Sequence, residues 1–352
     1  MDQRKSDRRL ALGLTALVLA LSLFEYRMSI RFRLDAAIQR AMVDAAWGVC
    51  SGEPHWAEYQ SRLLGPWLVR GLSATGVFGG GMNGFGRAFL ALLLVLAAVK
   101  NWVVYRAARR LGDDVSLAIG RTVGAMLLFV LLQDPKWIFL WDYLDVIVFT
   151  LFLLGARTRR GIAYFIGLGL IAILNRQSGL FVALWLLIDG LVVWKSDGRP
   201  QWLHAPRRLI VGAGLLALGG LAIHFEQKWL LVRELACSSN PEFCSERPFH
   251  LVHNLKTIYQ NLVQPGWTLG FLPGAAVLGS LLGLLVAARK GADFARKQSI
   301  LLVGMIASVL LFGLVNETRV YSMLIPFAVL LPFRSSPSEM QVTREFGPST
   351  TD

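Results

Sequence analysis

Charge is scarce in this chain. Asp, Glu, Lys and Arg make up 17% of its 352 residues, where a soluble domain carries about 25%. Breaks in the apolar runs are scarce too: residues 88–99 and 209–223 contain no charged side chain. Together these shortages exclude a disordered chain, a coiled coil and a cytosolic enzyme. Three cysteines are too few for a disulfide scaffold. Nucleotide-binding motifs are missing, and no Ser/His/acid arrangement is visible. No strand is expected, so no Gly-rich phosphate loop can follow one, and Gly79-Gly80-Gly81 reads as a flexible turn. His250 and His253 stand three apart near Glu246 in a polar loop, a spacing common by chance. Neither a metal nor a cofactor is expected from it.

Apolar residues are what the chain has in excess. They form 55% of the sequence and raise the mean hydropathy to +0.51, so most of the chain belongs in a lipid bilayer. A net charge of +13 would point to nucleic acid in a soluble protein. In a membrane protein it is the signature of basic cytoplasmic loops, and no nucleic-acid partner is expected.

The expected fold is an all-α polytopic membrane protein. Its single transmembrane domain, residues 1–333, has about ten helices and is followed by a cytoplasmic tail, 334–352. Arg4, Lys5, Arg8 and Arg9 precede an apolar run at 10–24, and Glu25-Tyr26-Arg27 follows it in place of a cleavage site. That run reads as an uncleaved first span with its N-terminus inside. Further spans are expected at 88–105, 117–133, 137–155, 162–175, 178–194, 209–225, 267–288, 299–315 and 320–333. The implied cytoplasmic loops hold clusters such as Arg157, Arg159 and Arg160, or Arg289, Lys290, Arg296 and Lys297. The short outer turns hold only Lys136, Arg176 and Arg319, so the positive-inside rule puts both termini in the cytoplasm. Two outer loops are long, about 26–87 and 226–264. Within the first, 63–77 is apolar but broken by Gly65, Pro66 and Gly71, as in a re-entrant or interfacial segment. The second carries Cys237 and Cys244 around an Asn240-Pro241 turn, a candidate disulfide in an oxidising compartment.

Ionisable groups at membrane depth are costly and are functional candidates by default. Lys100 and Arg121 lie close enough to the cytoplasmic ends to snorkel, and Asp189 is close to Lys195, a bland pairing. The others gather on one side. Asp142 and Asp145 share a helix face by their i, i+3 spacing, about 8–12 Å below the outer surface. Asn175-Arg176-Gln177-Ser178 and Asn316-Glu317-Thr318-Arg319 form two outer apices, and Glu58, Gln60 and Arg62 precede the 63–77 segment. Asp142 or Asp145 with Arg176, and Glu317 with Arg62, are the simplest pairings. Pairing alone returns less than about 1 kcal/mol per contact in membranes, which is small beside the cost of burying so many. The expectation is an outward-facing site of carboxylates and arginines.

Carboxylates supply acid–base chemistry, and arginines grip a phosphate. This suits sugar transfer from a polyprenyl-phosphate donor to an envelope glycan, lipid or protein acceptor. The layout resembles that of the C-type (GT-C) membrane glycosyltransferases and their small bacterial relatives. The phrases that carry the resemblance are Glu58-Tyr59-Gln60-Ser61-Arg62-Leu63-Leu64-Gly65-Pro66, Trp141-Asp142-Tyr143-Leu144-Asp145, Asn175-Arg176-Gln177-Ser178 and Asn316-Glu317-Thr318-Arg319-Val320-Tyr321. The resemblance implies a catalytic acid soon after the first helix, where the chain offers Asp35, Asp44 and Glu58. It also implies substrate binding by Arg62, Asp142, Asp145, Asn175, Arg176, Glu317 and Arg319, inverting transfer, and acceptor recognition by the outer loops. A flippase or permease for a lipid-linked precursor is the alternative, and a non-catalytic envelope-assembly subunit is a third. A transporter needs polar groups near the midplane, and the spans read as nearly blank there.

Overall fold

The computed structural model describes residues 2–33, 36–53, 62–133, 138–194, 199–229, 250–263, 293–313 and 318–330, together with 279 and 282. The architecture is all-α. Helices α1 (Asp2–Arg33), α2 (Ala36–Ser51) and α3 (Leu64–Ser73) precede the long α4 (Gly81–Arg110). Then come α5 (Val115–Leu132), α6 (Leu140–Arg157), α7 (Ile162–Asn175) and α8 (Leu180–Leu191). Helices α9 (Pro206–Trp229), α10 (Leu251–Val263), α11 (Asp293–Phe312) and α12 (Ile325–Leu330) complete the described chain.

Five helical segments among the described residues are long and apolar enough to cross a membrane. They are Gly13–Ile30, Gly81–Arg110, Val115–Leu132, Pro206–Glu226 and Asp293–Phe312. Shorter apolar helical segments occupy Ile162–Asn175, Gln177–Leu191 and Arg319–Leu330. Of the expected span at 267–288, only residues 279 and 282 are described.

Helix α6 is the centre of the packing. From Leu140 to Ala156 every side chain but Leu151 is buried, so it touches protein on all sides, with α4, α7 and α12 around it. Its neighbours are amphipathic in the inverted sense of membrane proteins. Helix α4 buries Phe85, Phe89, Leu93 and Val104 but leaves Val95 and Trp102 exposed, as a lipid-facing stripe requires. Asp114 caps α5, its carboxylate accepting from the Leu117 amide at 2.8 Å. Helix α9 lies close on α8 because Gly212 leaves room: a Cβ there would stand 3.0 Å from the Ala183 carbonyl oxygen and the Leu187 amide nitrogen.

Several expectations change. The first span does not stop before Glu25; α1 continues through it to Arg33, and Glu25 is wholly buried. Strands do occur: Val192–Trp194 pairs antiparallel with Pro200–Trp202. This hairpin replaces the last turn of the span expected to reach residue 194, and its β-branched Val192 and Val193 favour the extended form. In the Gly79-Gly80-Gly81 turn, Gly79 and Gly81 take φ of 82° and 67°, a region L-residues avoid, and deliver the chain into α4.

Both long loops contain helices. The first holds α2 and α3, and α3 packs on α2 and α4. The second holds α10, whose Asn254 amide donates to the Leu310 and Gly313 carbonyls at 2.8 and 2.7 Å. The His250 amide donates to the Leu311 carbonyl at 2.8 Å. These bonds satisfy the open carbonyls at the end of α11 and fasten the second loop to it.

Candidate functional site

The site forms where the start of α6 meets the apex between α7 and α8. Asp145 is 2% exposed and satisfied from that apex. Asn175 Nδ2 donates to its Oδ1 at 2.8 Å, Ser178 Oγ to the same oxygen at 3.2 Å, and Arg176 Nη1 to Oδ2 at 3.3 Å. Asn175 also donates to the Trp141 carbonyl at 3.1 Å, tying the end of α7 to the first turn of α6. Arg176 reaches Asp142 as well, its Nη1 3.5 Å from Oδ1, so one guanidinium bridges both carboxylates.

Asp142 is fully buried. Neither of its oxygens accepts a hydrogen bond from the described residues, and Arg319, Arg176, Asp145 and Arg62 are the charges that act on it. Two of those arginines are held by aromatic rings. The Arg62 guanidinium stands 4.1 Å from the centre of the Trp141 ring, and that of Arg319 stands 4.2 Å from Phe139. The two rings stack on each other at 4.2 Å with 16° between their planes. The order is Arg62, Trp141, Phe139, Arg319: a four-layer sandwich with a cation at each end. Desolvated cation–π contacts contribute up to about 2 kcal/mol each. Phe139 is extended, with φ −109° and ψ 140°, and precedes the helix; this lets its ring lie beside that of Trp141.

The expected residues divide clearly. Asp142, Asp145, Asn175, Arg176, Arg62 and Arg319 come together. Asp44 stands exposed on α2 and makes none of the cluster's ion pairs. Asp35, Glu58, Glu317, Cys237 and Cys244 lie outside the described residues. The cluster is closed rather than an open cavity, because the sandwich and the apex cover both carboxylates. Phe139 was not singled out in the sequence, and Trp141 and Ser178 stood there only within longer phrases, without a contact of their own. Aromatic residues at i and i+2 immediately before a buried aspartate were the available signal.

Gly179 shapes the apex. A Cβ there would stand 2.4 Å from the Ala172 carbonyl carbon and the Ile173 amide nitrogen, main-chain atoms that cannot move aside. Gly179→Ala is expected to cost about 1–3 kcal/mol, the usual penalty of overpacking. The same change would draw Asn175 and Ser178 off Asp145. A lowered thermal midpoint in detergent checks this; an unchanged midpoint would refute the tight fit.

A second buried cluster overturns two sequence expectations. Lys100 does not snorkel. It lies ten residues, about 15 Å, from the C-terminal Arg110 of α4, too deep for its stem to reach water. Its ammonium pairs with Glu25 at 2.9 Å, both side chains fully buried. Asn101 Nδ2 donates to Glu25 Oε2 at 3.0 Å and to Ser22 Oγ at 3.1 Å. The ammonium also stands 4.3 Å from the centre of the Phe129 ring, which packs on Tyr143 at 4.4 Å, next in sequence to Asp142. The interior of the spans is therefore not blank.

Arg121, by contrast, reaches back to the loop ahead of α5, where it pairs with Asp113 at 2.6 Å, and it also donates to the Val329 carbonyl. Asp189 pairs with Lys297 at 2.8 Å and with Arg208, while Lys195 lies outside the described residues. Comparison with known protein families, characterised proteins and solved structures gives no match. The site is therefore read on its geometry.

Proposed function

We propose that the chain is a membrane glycosyltransferase working at the outer face of the bacterial inner membrane. It would take a sugar from a polyprenyl-phosphate donor and pass it, with inversion, to an envelope glycan, lipid or protein. The observation that carries this reading is the convergence of Arg62, Arg176 and Arg319 on Asp142, with Arg176 bridging to Asp145. Three guanidinium groups act on Asp142, one of them also on Asp145, and guanidinium groups suit a phosphate. Guanidinium groups held rigid by ring stacking and ion pairs need little reorganisation when charge develops on the leaving group.

In this reading the acceptor oxygen attacks the anomeric carbon while a carboxylate takes its proton. The bond from that carbon to the phosphate oxygen breaks, and the electron pair leaves with the polyprenyl phosphate held by the arginines. Asp145 is saturated by Asn175, Ser178 and Arg176, a positioning group rather than a base. The base is drawn from Asp35, Asp44 and Glu58, on the first outer loop that leads to Arg62. Substrate entry requires the sandwich over Asp142 to open.

The reading includes ten crossings, cytoplasmic termini and a disulfide between Cys237 and Cys244. In a Cys50→Ser chain, a membrane-impermeant thiol reagent is expected to label that pair on intact cells only after reduction. Labelling without reduction removes the disulfide, and labelling only after permeabilisation reverses the orientation.

A specific observation favours a second reading, a proton-coupled flippase or permease. The buried Glu25–Lys100 pair supplies the intramembrane acid and base that a one-sided enzyme does not require. Purified protein in liposomes, given radiolabelled polyprenyl-phosphate sugar, separates the two. Transfer of label to an acceptor with release of polyprenyl phosphate supports the enzyme. Movement of intact donor across the bilayer replaces it with transport.

A further inference from the structure

A cavity of about 420 Å³ lies between α2, α3 and the start of α4, and no residue of the Asp142 cluster lines it. Its polar groups are all donors or neutral. Arg70 reaches in from α3 with Ser73 beside it, the Ser51 hydroxyl donates to the Trp47 carbonyl at 3.0 Å, and no carboxylate is among the described lining residues. One guanidinium N–H of Arg70 donates to the Cys50 carbonyl, which fixes its direction and leaves the rest of the fork for a ligand. Its flank rests over Trp67, 5.4 Å from the ring centre. The Gly79–Gly81 turn closes the floor, bringing in the first amides of the 30-residue α4, which no side chain caps. Trp47 and Phe85 wall the cavity, edge to face at 5.2 Å.

The surroundings are apolar and uncovered. Trp67, on the same face of α3 as Arg70, is 53% exposed, and Val77, two residues ahead of the glycine turn, 80%. A cationic floor walled by Trp47 and Phe85, beside the exposed Trp67, matches an amphiphile with an anionic head. A free phosphate would use the floor and leave Trp67 in water.

We propose that this cavity binds the phosphate of an anionic phospholipid, seated between Arg70, Ser73 and the amides that open α4, with acyl chains along Trp67 and Val77. The proposal goes beyond the transferase reading and is independent of it, since it holds equally for an enzyme or a transporter. The occupied site would pin α2 and α3 to the bilayer surface, and with them the first outer loop.

Cys50 lines the same cavity and reports on it. Burial pushes its thiol up from the usual range, with Arg70 opposing, so it stays protonated at neutral pH and labels slowly enough to time. Full-length protein with Cys237→Ser and Cys244→Ser is placed in phosphatidylcholine vesicles, with or without phosphatidylglycerol, and alkylated with an uncharged maleimide. Phosphatidylglycerol is expected to slow labelling by about tenfold, the protection given by a ligand in tenfold excess over its Kd. Arg70→Gln should abolish that protection at an unchanged thermal midpoint, and Arg70→Lys should retain part of it. Retained phosphatidylglycerol in native mass spectra should follow the same order and covers the case in which Arg70→Gln fails to fold. Equal labelling in both vesicles, or full protection in Arg70→Gln, overturns the proposal. Protection by inorganic phosphate in phosphatidylcholine vesicles, with none from phosphatidylglycerol, makes it a free-anion site and overturns the lipid.

Discussion

Lys100→Met is expected to be among the most destabilising single changes in this chain, at about 3–5 kcal/mol. The loss comes from Glu25, not from lysine itself. With the ammonium gone, a fully buried carboxylate keeps, among the described residues, only the Asn101 amide as a hydrogen-bond donor. Glu25→Gln is expected to cost a similar amount, because it strands the ammonium against Phe129 with one charge unanswered. The double variant Glu25→Gln/Lys100→Met should recover most of the loss, since the neutral pair no longer carries a desolvation penalty and the methionine refills the lysine's volume. Thermal unfolding of the four proteins in detergent closes the double-mutant cycle. A Lys100→Met protein as stable as the parent would mean that the pair is not buried as described. The same double variant bears on function. A transferase should keep its activity with the neutral pair, whereas a proton-coupled carrier should fold and lose transport.

The pair also shows where the sequence stops being informative. Glu25 and Lys100 are 75 residues apart, and each is excusable alone: Glu25 as the flank of an apolar run, Lys100 as a helix-end lysine. Only α1 packing on α4 makes them partners, and periodicity carries no record of which helices touch. Asp142 and Asp145 were legible because helical geometry fixes their common face whatever surrounds them. Arg176 was legible because a short apolar hairpin can expose a polar apex on one side only. The Phe139–Trp141 stack was not, since it depends on one extended residue ahead of α6. The Val192–Trp202 hairpin was hidden by an apolar run that suits a strand as well as a helix end.

Arg176→Lys is expected to impair transfer severely although the charge is kept. Arg176 meets Asp142 and Asp145 with one nitrogen, and its remaining N–H groups form a planar fork that an ammonium cannot copy. If the arginine only held the apex closed, lysine would serve nearly as well, and activity would follow the thermal midpoint. Asp145→Asn provides the control for that structural role: it should lower stability and activity together. The base should behave differently. Amide replacement at the true base is expected to leave donor binding intact and lower turnover by about 10²–10⁴-fold, the scale of general base catalysis. Glu58→Gln, Asp35→Asn and Asp44→Asn are compared in parallel, and one alone should show this split between binding and turnover. Radiolabelled sugar transfer from a supplied polyprenyl-phosphate donor measures turnover, and retention of donor on purified protein measures binding. If all three keep full turnover, proton abstraction does not fall to the first outer loop. If Arg176→Lys is also fully active, the arginines do not hold the leaving phosphate, and the cluster serves to lock α6 to the α7–α8 hairpin.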